Sequence, residues 1–256
     1  MNTPLILVTN DDGITAPGIK ALIEAAQYFG EVVVVAPDSG QSGMGHAITI
    51  SKPLRMLEVK GLFPGVKAAY HTTGTPVDCV KLAVDQVMHR KPDLLISGIN
   101  HGSNSSVNIL YSGTMSAAVE GGLEGIPSIG FSLTNFSWEA DFSLAVEVAK
   151  KMIESVLLHR PQPPFVLNVN IPHCAKSEFQ GIKICRQAQA KWVEKFDKRV
   201  DPHGKTYYWL TGEFVNKDDG DDTDEWALRH NFASVVPVNF DLTHYGWKEA
   251  IKNWNL

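Results

Sequence analysis

The chain has 256 residues, 44% of them hydrophobic and 20% charged, enough apolar material for a large core and too little charge for a disordered chain. Its formal net charge of −5 excludes the basic footprint of a protein that grips nucleic-acid polymers or anionic membranes electrostatically, so an anionic substrate has to be held locally. The three cysteines, Cys79, Cys174 and Cys185, form no C-x-x-C pair, which favours a reduced, cytoplasmic protein, and no apolar run approaches the length of a membrane span.

The chain opens with Leu5-Ile-Leu-Val-Thr9, which runs straight into Asn10-Asp11-Asp12-Gly13. That pattern predicts a buried parallel strand delivering two carboxylates to a loop at its carboxyl end, where open α/β sheets place their ligands. The alternative is that one Asp caps the helix starting near Pro17 while the other is solvated. Ile19, Leu22, Ile23 and Ala26 then recur at helical spacing as far as Gly30. Glu31 to Asp38 predicts a second buried strand, followed by the small polar loop Ser39 to His46, and Ala47 to Ile50 with Arg55 to Val59 read as a side hairpin.

Thr75-Pro76-Val77-Asp78 carries a hydroxyl at the cap, proline at the first helical position and an acid at the third, predicting a helix to about His89. Asp93 to Ser97 is a third strand, and its exit is Gly98 to Asn104. Ser112-Gly113-Thr114 opens a helix over Met115 to Leu123, Gly125 to Phe131 leads into the next strand, and Trp138 to His159 reads as a long amphipathic helix. Val166 to Ile171 is a further strand. Beyond about Cys174 the βαβ rhythm is lost. Ile182 to Gln189 and Tyr207 to Val215 are expected to pair as an arm around the charged segment Lys191 to Gly204, with a late strand at Val235 to Phe240 and a terminal helix at Trp247 to Trp254. The expected architecture is α/β: a Rossmann-like, doubly wound, mainly parallel sheet over residues 1–175. Residues 176–256 are expected to supply a C-terminal β-arm, the late strand and a terminal helix used for oligomerisation.

In such a sheet Asp11, Asp12, Ser42 and Asn100 converge at one edge, because each follows its strand by only a few residues. They offer oxygen donors alone, a set suited to Mg²⁺, Mn²⁺ or Ca²⁺ rather than Zn²⁺. Ser112, Gly113 and Thr114 at a helix start form an anion cradle, and Gly43 and Gly45 let a loop backbone approach closely. These pieces predict metal-dependent hydrolysis of a phosphate monoester, with Asp11 or Asp12 accepting a proton from the attacking water. Covalent attack by an Asp is the weaker route, since the D-x-D arrangement is missing. Two readings from other classes stand beside it: a non-catalytic nucleotide-binding regulatory module, and a phosphotransferase or glycosyltransferase. His46 and His101 read as loop hydrogen-bonders and Thr72 to Thr75 as a helix cap. Asp218 to Glu225 reads as a solvated loop with an Asp capping the helix at Trp226, and Trp192, Phe196, Tyr207, Tyr208 and Trp209 read as aromatics covered by a partner chain.

Six stretches carry a resemblance: Asn10-Asp11-Asp12-Gly13 with Ala16-Pro17-Gly18; Ala36-Pro37-Asp38 with Ser42-Gly43; Gly74 to Cys79; Ser97 to Gly102 with Asn104; Tyr111 to Thr114; and, late in the chain, Asp222-Thr223-Asp224 with Val235-Val236-Pro237. Together they resemble the SurE family of survival-protein nucleotidases over nearly the whole chain. The resemblance implies a metal-dependent 5′-nucleotidase acting on nucleoside monophosphates, with 3′-nucleotidase or exopolyphosphatase side activity, assembled as a homodimer or homotetramer through C-terminal arms and exchanged segments. It implies one divalent metal ion, Mg²⁺ or Mn²⁺, on Asp11, Asp12, Ser42 and Asn100, with Gly43, Asn104, Ser112, Gly113 and Thr114 around the phosphate. Ser103 stands where the family usually has Pro and Asn108 where Asp is frequent, both in the loop before the phosphate turn.

Overall fold

The computed structural model describes residues 3–254. In chain order the elements are β1 (Leu5–Thr9), α1 (Pro17–Gln27), β2 (Glu31–Pro37), β3 (Met56–Glu58), β4 (Ala68–Thr72), α2 (Pro76–Leu82), β5 (Leu94–His101), α3 (Gly113–Leu123), β6 (Ser128–Leu133), α4 (Ser143–His159), β7 (Val166–Ile171), β8 (Gly181–Ile184), β9 (Ala190–Val200), β10 (Thr206–Asn216), α5 (Asp224–Arg229), β11 (Phe232–Pro237) and α6 (Tyr245–Ile251). Nine strands form one sheet in the order β3-β4-β2-β1-β5-β6-β7-β11-β8. The run from β4 to β7 is parallel throughout, while β3 and β11 each lie antiparallel to a neighbour. This is the expected Rossmann-like sheet.

The central strands are apolar on both faces because both faces are covered. On one side Ile6, Val8, Val34 and Ile96 pack with Ile19, Leu22 and Ile23 of α1 and Ala145, Ala149 and Ile153 of α4. On the other, Leu5, Leu7, Val33, Val35 and Leu95 meet Cys79 and Val80 of α2 and Ala117 of α3. The helix starts follow local chemistry. Thr75 Oγ1 accepts from Asp78 N while Asp78 Oδ2 accepts from Thr75 N, the reciprocal capping box read from the sequence. α1 begins with Pro17 at its first position, and Ala16 before it makes no side-chain cap. Neither Asp11 nor Asp12 therefore caps α1, which removes the alternative reading of those carboxylates.

Four expectations need correction. Ala47 to Ile50 forms no strand; the partner of β3 is β4, which the sequence reading passed over because Ala68-Ala-Tyr-His-Thr72 lacks a clean apolar alternation. The helix expected from Trp138 starts at Ser143, after a loop. The charged segment Lys191 to Gly204 is not looped out between strands: it is itself most of β9, paired antiparallel with β10 in a separate two-stranded sheet that turns at Asp201 to Lys205. Its charges mislead because an arm standing clear of the core leaves its side chains in water on both faces. β8 does not belong to that arm but pairs with β11 at the edge of the main sheet, so two strands from beyond residue 175 complete the core sheet.

Candidate active site

Three loops leave the carboxyl ends of β1, β2 and β5 side by side, since those strands are neighbours in the parallel sheet. The first carries Asp11, which is 4% exposed, and Asp12, which is half-buried. The second carries Ser42, exposed on a loop held to the first by Gln41 N, which donates to Asp11 O at 2.7 Å, and to the start of α3 by Gly45 N, which donates to Tyr111 O at 3.2 Å. Gly43 lies at φ +73° in open space on the same loop. The third carries Asn100, placed by a bulge in which Gly98 and Ile99 of β5 oppose the single residue Phe131 of β6. Asn100 Nδ2 donates to Gly102 O at 2.7 Å, and among the described residues no protein donor reaches its Oδ1. His101 N donates to Asp12 Oδ2 at 3.3 Å, tying the third loop to the first.

The amino end of α3 closes the site. Ser112 caps it, its Oγ accepting from Met115 N at 3.0 Å. Gly113 lies so close to Asp11 that a Cβ there would come within 2.6 Å of Asp11 Cβ, a contact no other residue type can make. Thr114 Oγ1 donates to Asp11 Oδ1 at 2.5 Å. The Thr114 hydroxyl orients a carboxylate, and the helix end supplies its partial positive charge beside it. Asn104 is turned away: its Nδ2 donates to Ser132 Oγ at 2.8 Å and its N to Asn170 Oδ1 at 2.7 Å, so its side chain braces the loop against the sheet.

Burial, and then the charge of Asp12, push Asp11 up from 3.8 to about 6, against the Thr114 hydroxyl and nearby backbone N–H groups that hold it down. Burial also raises Asp12. Two adjacent acids, one buried and one partly so, thus share this site, and among the described residues no Lys, Arg or His pairs with either. A hard divalent cation would relieve that charge, and the unpartnered Asn100 Oδ1 and the exposed Ser42 hydroxyl extend the oxygen donor set at the same edge. The residues fit such an ion. Among the described residues no group of three or more His, Cys, Asp and Glu gathers for a metal, so the carboxylates would need these neutral oxygens beside them.

The profile of the family described as survival protein SurE matches residues 6–194. The chain belongs to the SurE family. It is similar to the 5′-nucleotidase SurE of Flavobacterium psychrophilum, 58% identical over 256 residues that cover 100% of this chain and 99% of the relative. To the 5′-nucleotidase SurE of Christiangramia forsetii it is 57% identical over 253 residues, 99% of this chain and 97% of that one. Its fold is similar to the crystal structure of the SurE protein from Aquifex aeolicus, with a TM-score of 0.82 and 40% identity over 97% of this chain and 98% of the other.

Some residues that shape this SurE site escaped the sequence reading. Glu120, buried on α3, accepts from His46 Nε2 at 2.8 Å and from Lys81 Nζ, so it anchors the loop that carries Ser42. A lone carboxylate in the small, apolar run Met115 to Leu123 was the available signal. His46 and His101 are hydrogen-bonded, as expected, but to other elements rather than within their own segments: His46 to Glu120 on α3, and His101, at the end of β5, through Nδ1 to Ser137 O at 2.8 Å in the loop after β6. Asn168 and Asn170 line one face of β7 and hold Asn104 and its loop; two Asn at alternating positions in a buried strand marked them. The Asp218 to Glu225 segment is a solvated loop only in its first part, where Asp219, Asp221 and Asp222 are exposed: Thr223, not an Asp, caps α5, and Asp224 is fully buried, accepting from Ser106 N at 2.8 Å and Ala188 N at 2.9 Å.

Proposed function

We propose that the protein is a metal-dependent 5′-nucleotidase that hydrolyses nucleoside monophosphates to nucleoside and phosphate. The observation that carries this reading is the adjacent pair of carboxylates, Asp11 buried and Asp12 half-buried and neither paired with a basic side chain among the described residues, with Asp11 set against the amino end of α3, a place where a cation and an oxyanion can share one site. Its class is that of the phosphoric monoester hydrolases, in keeping with relatives named 5′-nucleotidase at 57% and 58% identity. Asp11, Asp12, Ser42 and Asn100 would hold one Mg²⁺ or Mn²⁺. When bound, that ion supplies positive charge to the phosphoryl oxygens and makes water more acidic. The chain does the rest. The free oxygen of Asp12 or Asp11 accepts the proton of the attacking water, and the Ser112–Thr114 turn faces the phosphate with the positive end of α3. Gly43, with open space around it, lets the second loop's backbone close on the ester, while Asn104 holds the third loop in shape.

Chelator-stripped protein should release no phosphate from adenosine 5′-monophosphate and regain turnover with Mg²⁺ or Mn²⁺; equal rates without metal overturn the mechanism. Tight nucleotide binding with no phosphate released over hours would select the regulatory module instead. The same assay with 3′-monophosphates and polyphosphate tests the side activities.

The arm of β9 and β10 exposes Trp192, Phe196, Tyr207, Tyr208 and Trp209, and α6 buries none of its residues. Both are proposed to be covered in a homodimer or homotetramer, which sedimentation measures. A cytoplasmic location is proposed with it, consistent with three free cysteines. Among the described residues no helix is long and apolar enough to cross a membrane.

A further inference from the structure

We propose that the loop after β6, through Phe136 and Trp138, is the platform on which the substrate's nucleobase stacks; this rests on the nucleotidase reading above. The loop is built onto the strand end that presents Asn100. Gly102 N donates to Leu133 O at 2.8 Å, and Gly102 O accepts from the Asn100 amide. The Phe136 ring lies over Gly102, where a Cβ would fall 2.2 Å from a ring carbon, at a backbone φ of +101° that also favours glycine. One residue earlier, the His101 ring stacks on Trp138 with centroids 5.2 Å apart and planes 12° from parallel, while its backbone N–H reaches Asp12.

Two aromatic rings are thus fixed to the residues one and two places beyond Asn100. Folding does little to bury them: Phe136 is 82% exposed and Trp138 57%. Largely exposed rings held against the two residues that follow Asn100 suit a flat heteroaromatic base. Every base has a π face, so such a shelf selects by ring area, purines ahead of pyrimidines, rather than by reading base edges.

The test compares kcat/KM for adenosine 5′-monophosphate, cytidine 5′-monophosphate and ribose 5-phosphate, which has the same phosphate and sugar without a base, in the wild type, Trp138→Ala, Phe136→Ala and Trp138→Phe at saturating Mn²⁺. Each alanine variant should lower the ratio of adenosine monophosphate to ribose 5-phosphate by about tenfold, chiefly through KM, with Trp138→Phe restoring most of it. Equal losses on both substrates, a wild type that does not favour the nucleotide, or a changed oligomeric state in either alanine variant would overturn the platform, the last assigning the rings to a contact between copies. Equilibrium dialysis of the same two compounds separates the two readings. Base-dependent binding that is lost in Trp138→Ala, with no turnover in the wild type, would sink the nucleotidase and leave the platform standing.

Discussion

Replacing Asp11 by asparagine should stabilise the metal-free protein at neutral pH while destroying its site. Asp11 rises from 3.8 to about 6 on folding, through burial first and Asp12 second. Each pH unit between those values is worth about 1.4 kcal/mol, so keeping Asp11 ionised costs the folded chain about 3 kcal/mol relative to the unfolded one. The folded state binds the proton more tightly. The cost is therefore absent below pH 4, grows between pH 4 and 6, and is complete above about 6. An asparagine never carries it. Thr114 Oγ1 can still donate to the amide oxygen, and the difference between that bond and the one to the carboxylate is already contained in the net shift. Asp11→Asn should thus be more stable than the wild type by about 3 kcal/mol at pH 7.5 in chelator. By pH 4 the advantage should vanish or reverse. Urea unfolding followed by circular dichroism at the two pH values measures this directly. Millimolar Mn²⁺ should then raise the wild-type midpoint at pH 7.5 and leave the variant's unmoved. A variant no more stable than the wild type at pH 7.5, or a difference that ignores pH, would refute the argument that buried, unpaired charge defines this site.

The other predictions concern the framework around that charge. Gly113→Ala places a methyl group 2.6 Å from Asp11 Cβ, so turnover should fall by on the order of 10²-fold while the circular dichroism spectrum stays native. Asp12→Asn should lower turnover by a similar order at saturating metal, read in single-turnover phosphate release. Glu120→Gln weakens the hold on His46 and so on the Ser42 loop; the Mn²⁺ concentration for half activity should rise several-fold, with His46→Ala giving the same shift. Asp224→Ala leaves the Ser106 and Ala188 N–H groups buried without their acceptor and should cost roughly 2–4 kcal/mol in urea unfolding.

Much of this molecule was legible locally. The strands β1 and β2 announce themselves as apolar or β-branched runs because both of their faces are covered. The Thr75 and Ser112 caps are readable because a cap involves residues only three apart. The arm was not legible, since β9 carries the composition of a solvated loop and, among the described residues, pairs with β10 alone. Nor was β4, whose mixed residues become a strand only because β2 and β3 offer their edges on either side.

The amino-acid sequence by itself determined the fold class and the candidate donors, because strand period, capping chemistry and the oxygen character of Asp11, Asp12, Ser42 and Asn100 are properties of short stretches. Only the tertiary structure decided what those donors experience. The burial that lifts Asp11, the glycine pressed against it, and its hydroxyl partner 103 positions away in Thr114 all depend on how α3 is laid over the ends of the strands. That placement is set by packing across the whole sheet, and no local pattern encodes it.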